Sequence, residues 1–305
     1  MYIETFKDIK GWQDRDTMNL IKKYSNENLI LNCRSGISCN PLHADNLSLK
    51  ITMKGREFYG VENKEIAVDP KRFFIVNAQQ EHRSWVESEQ YVEALTIYFA
   101  PKFVHNVYGS ILTPEDKLLD DPFHLRNYPI YFFEQLYHFD EQMFHDMAVF
   151  RNRLENKLLS HEDQEQHLRY LLYHLLYIHR KDVVKEVEKM PAVKRSTKIE
   201  IYRRLHTAKD YIETFYTNNI SLEELSGIAT MSENQLLRHF KNTFHTTPHQ
   251  YITNKRLEFA KGLLKNTRKP VGEIISMTGF EDVSSFGRLF KKHFAVTPAA
   301  YRNAC

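Results

Sequence analysis

The sequence has few cysteines and no long hydrophobic run. Its three cysteines, Cys33, Cys39 and Cys305, include no C-x-x-C pair, which argues against a disulfide framework and favours reduced thiols in a cytoplasm. No stretch of about 18 apolar residues is present, so we expect no membrane-spanning helix. The opening stretch, MYIETFKDIKGWQDRD, lacks the apolar core of a signal peptide. These absences predict a cytoplasmic protein.

Charge is divided unevenly along the 305 residues. The net charge of +3 combines +8 for residues 190–305 with −5 for residues 1–189. A basic end joined to a mildly acidic one is typical of a polyanion-binding domain attached to a second function. The length also predicts at least two domains.

Short runs rich in β-branched and aromatic residues fill residues 29–100, and Asp, Gly, Pro and Asn separate them. The run LSLKITMK alternates strictly and places Leu47, Leu49, Ile51 and Met53 on one face. Strands of this length and spacing predict an antiparallel sandwich or barrel.

Residues 140–187 contain neither proline nor glycine, and leucines recur there at three- and four-residue steps. This pattern predicts a helix with one apolar stripe. The stripe either packs on its own domain or forms a dimer, and the sequence leaves both open. Its members are Leu168, Leu171, Leu172, Leu175 and Leu176.

A repeat of about 50 residues lies near the end of the chain. Residues 236–251, LLRHFKNTFHTTPHQY, match residues 286–301, FGRLFKKHFAVTPAAY, at seven of sixteen positions. Such a repeat indicates one supersecondary unit used twice.

In the first copy, Ser221-Leu-Glu-Glu and Ser232-Glu-Asn-Gln are capping boxes, which predict two helices joined by a tight turn near Thr230. The second copy predicts helices at Val271–Met277 and about Val283–Phe294. Helix, tight turn and helix with a polar outer face is the arrangement that places its second helix in the major groove of DNA.

Between the copies, Thr247-Pro-His-Gln caps a further helix with Pro248 at the tolerated first position. A rigid connecting helix would fix the distance between two reading heads. Consecutive major-groove turns on one DNA face are roughly 34–36 Å apart, so one chain built this way is able to read both.

Residues 286–302 follow the pattern F-x-R-x-F-K-K-x-F-x-x-T-P-x-x-Y-R, which closely resembles the signature of the AraC/XylS family of transcription regulators. The resemblance covers residues 203–303 and implies an all-helical bipartite domain that contacts promoter DNA and usually RNA polymerase. Residues 60–82, with their strand–turn pattern, resemble the cupin-like sensor domain often attached to this family.

By this resemblance, side chains from both second helices read bases, and lysines nearby are expected to contact phosphates instead. The base-reading residues would be Asn234, Leu237 and Arg238 in the first copy and Ser284, Ser285 and Arg288 in the second. The phosphate contacts would be Lys241, Lys291 and Lys292.

Two positions depart from the family pattern. Thr230 stands where the family often has a turn glycine, so a positive φ there would be strained. Gly287 stands at a recognition position without a side chain to read with, and glycine inside a helix costs about 1 kcal/mol relative to alanine. We therefore expect the two halves of the DNA site to be specified unequally.

Candidate effector-pocket residues in the N-terminal half are His43, Tyr59, His82 and Trp85. His43 stands alone in Pro41-Leu-His-Ala-Asp without the H-x-H cluster of a metal cupin, so we expect no metal, no cofactor and no enzymatic activity. Besides a small-molecule sensor, three alternatives remain: an oligomerisation module, a site for a protein partner, or a cupin enzyme with a DNA-binding tail.

The sequence thus predicts an α+β multidomain protein that regulates transcription, with promoter DNA, RNA polymerase and a small-molecule effector as partners and a homodimer as a further alternative. Its expected parts are a β-rich cupin-like barrel with helices at 1–110, a helical dimerisation or transmission region at 111–190, a linker at 191–199, and the DNA-binding domain at 200–305. Its helix-turn-helix units are expected at about 221–244 and 270–294.

Overall fold

The computed structural model describes residues 1–6, 14–62, 64–112, 130–179, 184–190, 194–280 and 282–303. The chain divides into two compact units, Met1–Lys189 and Met190–Cys305. Within the described ranges, every helix is too short or too polar to cross a lipid bilayer.

The first unit is built on eight strands, and its predicted β-rich character is confirmed. The strands are β1 Tyr2–Phe6, β2 Leu29–His43, β3 Ser48–Lys54, β4 Glu57–Val61, β5 Lys64–Val68, β6 Arg72–Val76, β7 His82–Tyr98 and β8 Leu136–His138.

Strand β7 is shared by two parts of the sheet. Over most of its length it pairs antiparallel with β2. On its other side, its first residues pair with β4 and its last with β3. Irregular register in β2 between Ser35 and Ile37, and between Asn40 and His43, accompanies the change. Bulges of this kind bend a strand and increase its twist, so the sheet is expected to bend where the second partner of β7 changes from β4 to β3.

The expected closed barrel is not formed by the described strands. One path runs β1-β2-β7-β3-β6-β8, and a branch runs from β7 through β4 to β5. Three-residue β8 ends the first path, and β5 pairs only with β4 among the described strands. Because each path ends on a short edge strand, the sheet stays open.

The run 47–54 has its predicted apolar face, since Leu47, Leu49 and Ile51 are buried. The opposite face of β3 is also buried, with Ser48, Lys50 and Thr52 almost inaccessible to solvent. Successive strand residues point to opposite faces, so both faces of this part of the sheet are covered.

Helices cover the sheet of the first unit, and one of them carries the leucine stripe. They are α1 Asp14–Lys23, α2 Pro101–Leu112, α3 Glu141–Glu155, α4 His161–Ile178 and α5 Val184–Glu188. All five stripe leucines of α4 are buried. The stripe therefore belongs to the core of its own unit, which was the first of the two interpretations.

The second unit is helical throughout its described residues. Its helices are α6 Arg195–Phe215, α7 Leu222–Ile228, α8 Glu233–Phe244, α9 Pro248–Asn266, α10 Val271–Met277, α11 Val283–Phe294 and α12 Pro298–Asn303. The predicted linker at 191–199 is too long, because α6 already begins at Arg195. The basic residues Lys194, Arg195 and Lys198 therefore lie at the start of this helix and not in a linker before it.

The two predicted capping boxes and the predicted cap at Thr247 are confirmed, and the cap at Thr247 is also a capping box. The side chains of Ser221, Ser232 and Thr247 each accept a hydrogen bond from the backbone N–H three residues later, and that residue's side chain accepts from the cap's own N–H. Each box satisfies two backbone donors that a helix start leaves unpaired. These caps fix where α7, α8 and α9 begin.

Helix α9 connects the two copies and contacts α6, α8, α10, α11 and α12. On one side, Arg256 donates to the carbonyl oxygens of Tyr216 and Asn218, both at 2.7 Å. On the other side, Leu257 packs with Ile274 and Phe286 of the second copy. The connecting helix is therefore part of both cores.

A half-buried histidine, His179, makes the stability of the first unit sensitive to pH. The ring of His179 lies 5.2 Å from that of Phe132 and 5.4 Å from that of Phe133, and burial lowers the pKa of His179 to about 4. In the unfolded chain the pKa is about 6.5. Between these values the unfolded state binds a proton that the folded state does not, so the free energy of unfolding falls as the pH drops from about 6.5 to about 4.

We expect His179→Gln to flatten this pH dependence, because glutamine does not titrate. Urea unfolding between pH 7 and pH 4 measures it, and tryptophan fluorescence follows this part of the chain because both tryptophans of the sequence precede residue 190. The exposed His145 provides the control, since His145→Gln should retain the wild-type slope. Equal slopes for wild type and His179→Gln would contradict the assignment.

Candidate nucleic-acid interface and effector cavity

The turn of each helix-turn-helix unit passes through the left-handed region. Thr230 has a φ of 49° and the equivalent Gly279 has a φ of 79°, so the predicted positive φ at Thr230 is confirmed. Two hydrogen bonds hold Thr230. Its hydroxyl donates to the Ala229 carbonyl oxygen, and the Arg204 guanidinium donates to the Thr230 carbonyl oxygen, both at 2.8 Å. The first copy thus keeps the turn despite a residue that disfavours it.

Glycine is required at position 279 for a second reason. A Cβ atom there would lie 2.1 Å from the carbonyl oxygen of Thr217. No side chain fits such a gap, because the neighbour is backbone and is unable to move aside cheaply. The second turn is therefore packed against the end of α6.

Helix α8 presents a polar outer face beside a buried inner one. Leu236 and Phe240 are fully buried, whereas Asn234 and Arg238 are exposed and Leu237 is half-buried. The guanidinium of Arg238 lies 3.3 Å from the imidazole of His239, a residue of its own helix. The three predicted base-reading residues of the first copy are thus accessible together on one surface.

Helix α11 repeats the arrangement with different chemistry at its start. The carboxylate of Asp282 accepts from the backbone N–H of Ser284 at 3.2 Å and of Ser285 at 2.7 Å. Hydrogen bonding from the Ser285 hydroxyl, together with these backbone N–H groups, lowers the pKa of Asp282. Arg288 is exposed and donates to the Ser285 hydroxyl at 3.3 Å. Ser285 therefore orients Arg288 as well as facing outward.

The predicted phosphate-contacting lysines are all exposed. Among the described residues, neither they nor Arg238 and Arg288 form a salt bridge, so their positive charge is not neutralised there. At Gly287, an added Cβ would meet nothing within 4 Å, so the backbone there does not require glycine. The lysines are Lys241, Lys291 and Lys292.

The first unit contains a small cavity of about 30 Å³ between the faces of β2, β3, β4 and β7 and helix α1. Three of the four predicted pocket residues, His43, Tyr59 and His82, line it. Trp85 does not, because strand alternation turns it away from the side shared by His82 and Ser84. It stacks on Phe58 instead, with ring centroids 5.6 Å apart.

A buried lysine is the main charged group of this cavity. The Nζ atom of Lys50 donates to the Tyr98 hydroxyl at 3.3 Å and lies 4.5 Å from the centre of that ring. Burial lowers the pKa of Lys50, although attraction to Asp45 and Glu57 opposes the shift. Asn40 adds a buried side-chain carbonyl oxygen with no hydrogen bond among the described residues. The cavity thus offers both donors and acceptors to a polar ligand.

His43, Asp45 and His82 converge at the wall of this cavity. The Nε2 atoms of His43 and His82 lie 3.5 and 3.9 Å from one carboxylate oxygen of Asp45, and the two rings are 4.2 Å apart. Burial, with the nearby Lys50 charge, lowers the pKa of His82 to about 3. Burial alone would raise the pKa of Asp45, but Lys50 and the two histidines outweigh it and leave this pKa below its usual value.

Sequence reasoning did not identify Lys50, Glu57 or Tyr98 as cavity residues, and it treated His43 as isolated from Asp45 and His82. No local signal marked Lys50, because it occupies a regular polar position, with Ser48 and Thr52, in a strand that alternates strictly. The proximity of His43 to His82, which is 39 residues away in the sequence, arises from the pairing of the end of β2 with the start of β7. Only the register of the sheet reveals it.

Two families match this chain. A helix-turn-helix domain family matches residues 225–304, and an AraC-like ligand binding domain family matches residues 26–172. Together they span the repeated unit and the sheet with its cavity.

The curated relatives are transcription regulators by name. A probable transcriptional regulator, LumQ, from Photobacterium leiognathi is 36% identical over 93 residues, which are 30% of this chain and 38% of that protein. The lactose operon transcription activator of Staphylococcus xylosus is 26% identical over 152 residues, 50% of this chain and 52% of that protein. The raffinose operon regulator RafR of Pediococcus pentosaceus is 27% identical over 114 residues, 37% of this chain and 41% of that protein. The matched segments thus span about half of these relatives or less.

The two turns predict opposite effects of exchanging their residues. We expect Thr230→Gly to stabilise the chain by about 0.5–1 kcal/mol, because relief of the left-handed strain exceeds the entropic cost of glycine. Gly279→Ala should destabilise it by about 2 kcal/mol or more, through strain and the clash with Thr217. Thermal unfolding followed by helical circular dichroism measures both.

Gly262 within α9 is the matched control, since an added Cβ there meets nothing within 4 Å and its φ is ordinary. Gly262→Ala should stabilise the chain by roughly 0.5–1 kcal/mol, as expected for a helix interior. If Gly279→Ala were equally harmless, the requirement for glycine in the second turn would be refuted.

Proposed function

We propose, from the premise that this chain belongs to the AraC/XylS family of transcription regulators, that it is a sequence-specific DNA-binding regulator whose activity responds to an effector. The family rests on the two matched domains, which occupy residues 26–172 and 225–304. The three relatives described above are transcription regulators by name.

One observation carries the DNA-binding part of the proposal. Two helices, α8 and α11, each follow a tight turn, bury a phenylalanine-rich face and expose an arginine at the same position of the repeat. Arginine is the side chain that most often reads guanine in the major groove, through two parallel hydrogen bonds. We therefore assign base contacts to Arg238 and Arg288, with Asn234, Leu237, Ser284 and Ser285 beside them.

The connecting helix supports the reading of two adjacent DNA segments by one chain. Because α9 packs against both copies, neither recognition helix is held in place independently of the other. Lys241, Lys291 and Lys292 then hold the register by binding phosphates, which position a protein without reading sequence.

The polar lining of the cavity in the first unit supports a sensor for a small polar molecule, which the cavity would have to widen to admit. It combines the Lys50 ammonium, the Asn40 carbonyl oxygen and the hydroxyls of Thr96 and Tyr98. Two relatives are named as regulators of sugar operons, one of them as an activator. We therefore propose activation of transcription, with contact to RNA polymerase, in response to a hydroxyl-rich or anionic metabolite.

A homodimer is the further partner that we propose. The surface of α4 opposite its buried leucines exposes Tyr170 by 67% and Tyr177 by 58%, with Tyr173 on the same side. Exposed aromatic side chains are enriched at protein interfaces.

Substitution of the arginines should separate base reading from phosphate binding. The cognate site is first obtained by selecting bound genomic fragments. We then expect Arg238→Ala to weaken binding to this site by about 1–3 kcal/mol and to relax preference at one base position. Arg288→Ala should do the same in the other half-site. Binding titrations on single-base variants of the site measure both effects.

Lys291→Ala is the matched control on helix α11. It should weaken all sequences alike and reduce the salt dependence of the binding constant by about one phosphate contact. Unchanged affinity for the cognate site after Arg238 and Arg288 both become alanine would refute the assignment of the recognition helices.

Ligand binding in the cavity should raise the melting temperature of the chain. A screen of sugars and small organic acids should yield a compound that stabilises the wild type, by about 2.7 kcal/mol at 100 times its dissociation constant, and that changes DNA affinity. Lys50→Met should abolish the shift, whereas Trp85→Phe, outside the cavity lining, should retain it. A shift that persists in Lys50→Met would place the ligand elsewhere.

A further inference from the structure

We propose that His43, Asp45 and His82 bind a divalent transition-metal ion of the zinc class at the wall of the cavity. The three residues come from the end of β2, the loop after it and the start of β7. Their metal-binding atoms lie within 4.8 Å of one another. This site is independent of the DNA-binding unit, and neither matched family nor any named relative assigns it.

A hydrogen bond from the Nδ1 atom of each imidazole leaves a lone pair on the Nε2 atom, which faces Asp45. The Nδ1 atom of His43 lies 2.7 Å from the carbonyl oxygen of Pro41, and that of His82 lies 3.3 Å from the carbonyl oxygen of Gln80. A carbonyl oxygen only accepts, so each Nδ1 carries the proton. In a neutral ring the Nε2 atom then carries a lone pair, and both Nε2 atoms face Asp45. Backbone carbonyls orient metal-binding histidines in this same way.

The distances fit an ion better than direct contacts. Nitrogen–oxygen hydrogen bonds are about 2.7–3.2 Å long, whereas the two Nε2 atoms lie 3.5 and 3.9 Å from the Asp45 oxygen. Two ligand atoms that are each about 2.1 Å from a tetrahedral zinc ion are separated by about 3.4 Å. The observed separations are therefore close to the edge of such a tetrahedron, and a small inward movement completes it.

The buried carboxylate provides a second, independent observation. The side chain of Asp45 is 2% exposed, and neither of its carboxylate oxygens has a hydrogen bond among the described residues. A buried carboxylate without hydrogen bonds is costly unless a charge compensates it. Lys50 supplies part of that compensation by attraction, and a bound dication would supply the rest at contact distance.

The donor set selects the class of metal. Two imidazole nitrogens and one carboxylate suit zinc, copper, nickel or iron, whereas magnesium and calcium prefer oxygen ligands alone. Three protein ligands also leave a fourth position for water or for an effector group. Since His43 and His82 line the cavity, the ion would lie where a ligand enters.

The alternative is a direct polar contact between His43 and Asp45, without metal. Metal binding by the intact chain distinguishes the two. We expect the untagged, EDTA-treated protein to bind one Zn²⁺ in calorimetric titration and to gain thermal stability with it. His43→Gln, Asp45→Asn and His82→Gln should each weaken binding tenfold or more. Co²⁺ should give a visible ligand-field spectrum in the wild type that these variants lose.

Exposed His145 is the matched control, and His145→Gln should bind Zn²⁺ as the wild type does. Circular dichroism without metal identifies a variant that does not fold, and Asp45→Asn, which keeps the shape of the side chain, serves as the most conservative variant. Zn²⁺ binding by the wild type no tighter than by folded Asp45→Asn overturns the proposal, as does a wild type that binds no Zn²⁺. Either result leaves DNA binding, measured separately, unaffected.

Discussion

Strand β7 runs for 17 residues and pairs with three other strands, and the N-terminal unit depends on this sharing. Its last residues pair with β2 and β3, and its first residues pair with β2 and β4, within one branched sheet. Residues of both stretches line the cavity. Residues that alternate along β7, such as His82, Ser84, Ala94, Thr96 and Tyr98, therefore line one continuous surface. Pocket, candidate metal ligands and core all follow from the pairing of a single strand.

The sequence predicted those features of the N-terminal unit that depend on local forces. Alternation identified the strands and the apolar face of 47–54, because hydrophobic burial acts on each strand separately. It did not show that Lys50 and Thr52 are also buried, since this depends on what covers the second face. Nor did it place Trp85 outward or His82 beside His43. Those placements depend on register between strands that are distant in sequence, as does the open edge that replaces the expected barrel.

The helical unit was predicted more completely, for a physical reason. Capping boxes at Ser221, Ser232 and Thr247 are local hydrogen bonds written in four consecutive residues, so helix starts could be located without tertiary information. The strain of a positive φ at Thr230 was expected from the family resemblance, which places a turn glycine at that position. The roles that no local pattern reveals are those of contacts across the unit, such as the clash that reserves position 279 for glycine. The orientation of Arg288 by Ser285 is another.

Arg256 lies at the junction of the two copies. It holds the end of α6 through two backbone carbonyls, while its guanidinium lies 5.8 Å from the ring of Phe280 in the second turn. Opening of either copy therefore disrupts contacts of the other. We expect the unit to unfold as one cooperative element and not as two independent ones. Amide protons in the two copies should share a common slowest exchange rate. The spacing between the two DNA-contacting surfaces is then a property of the native state, lost only when the whole unit opens.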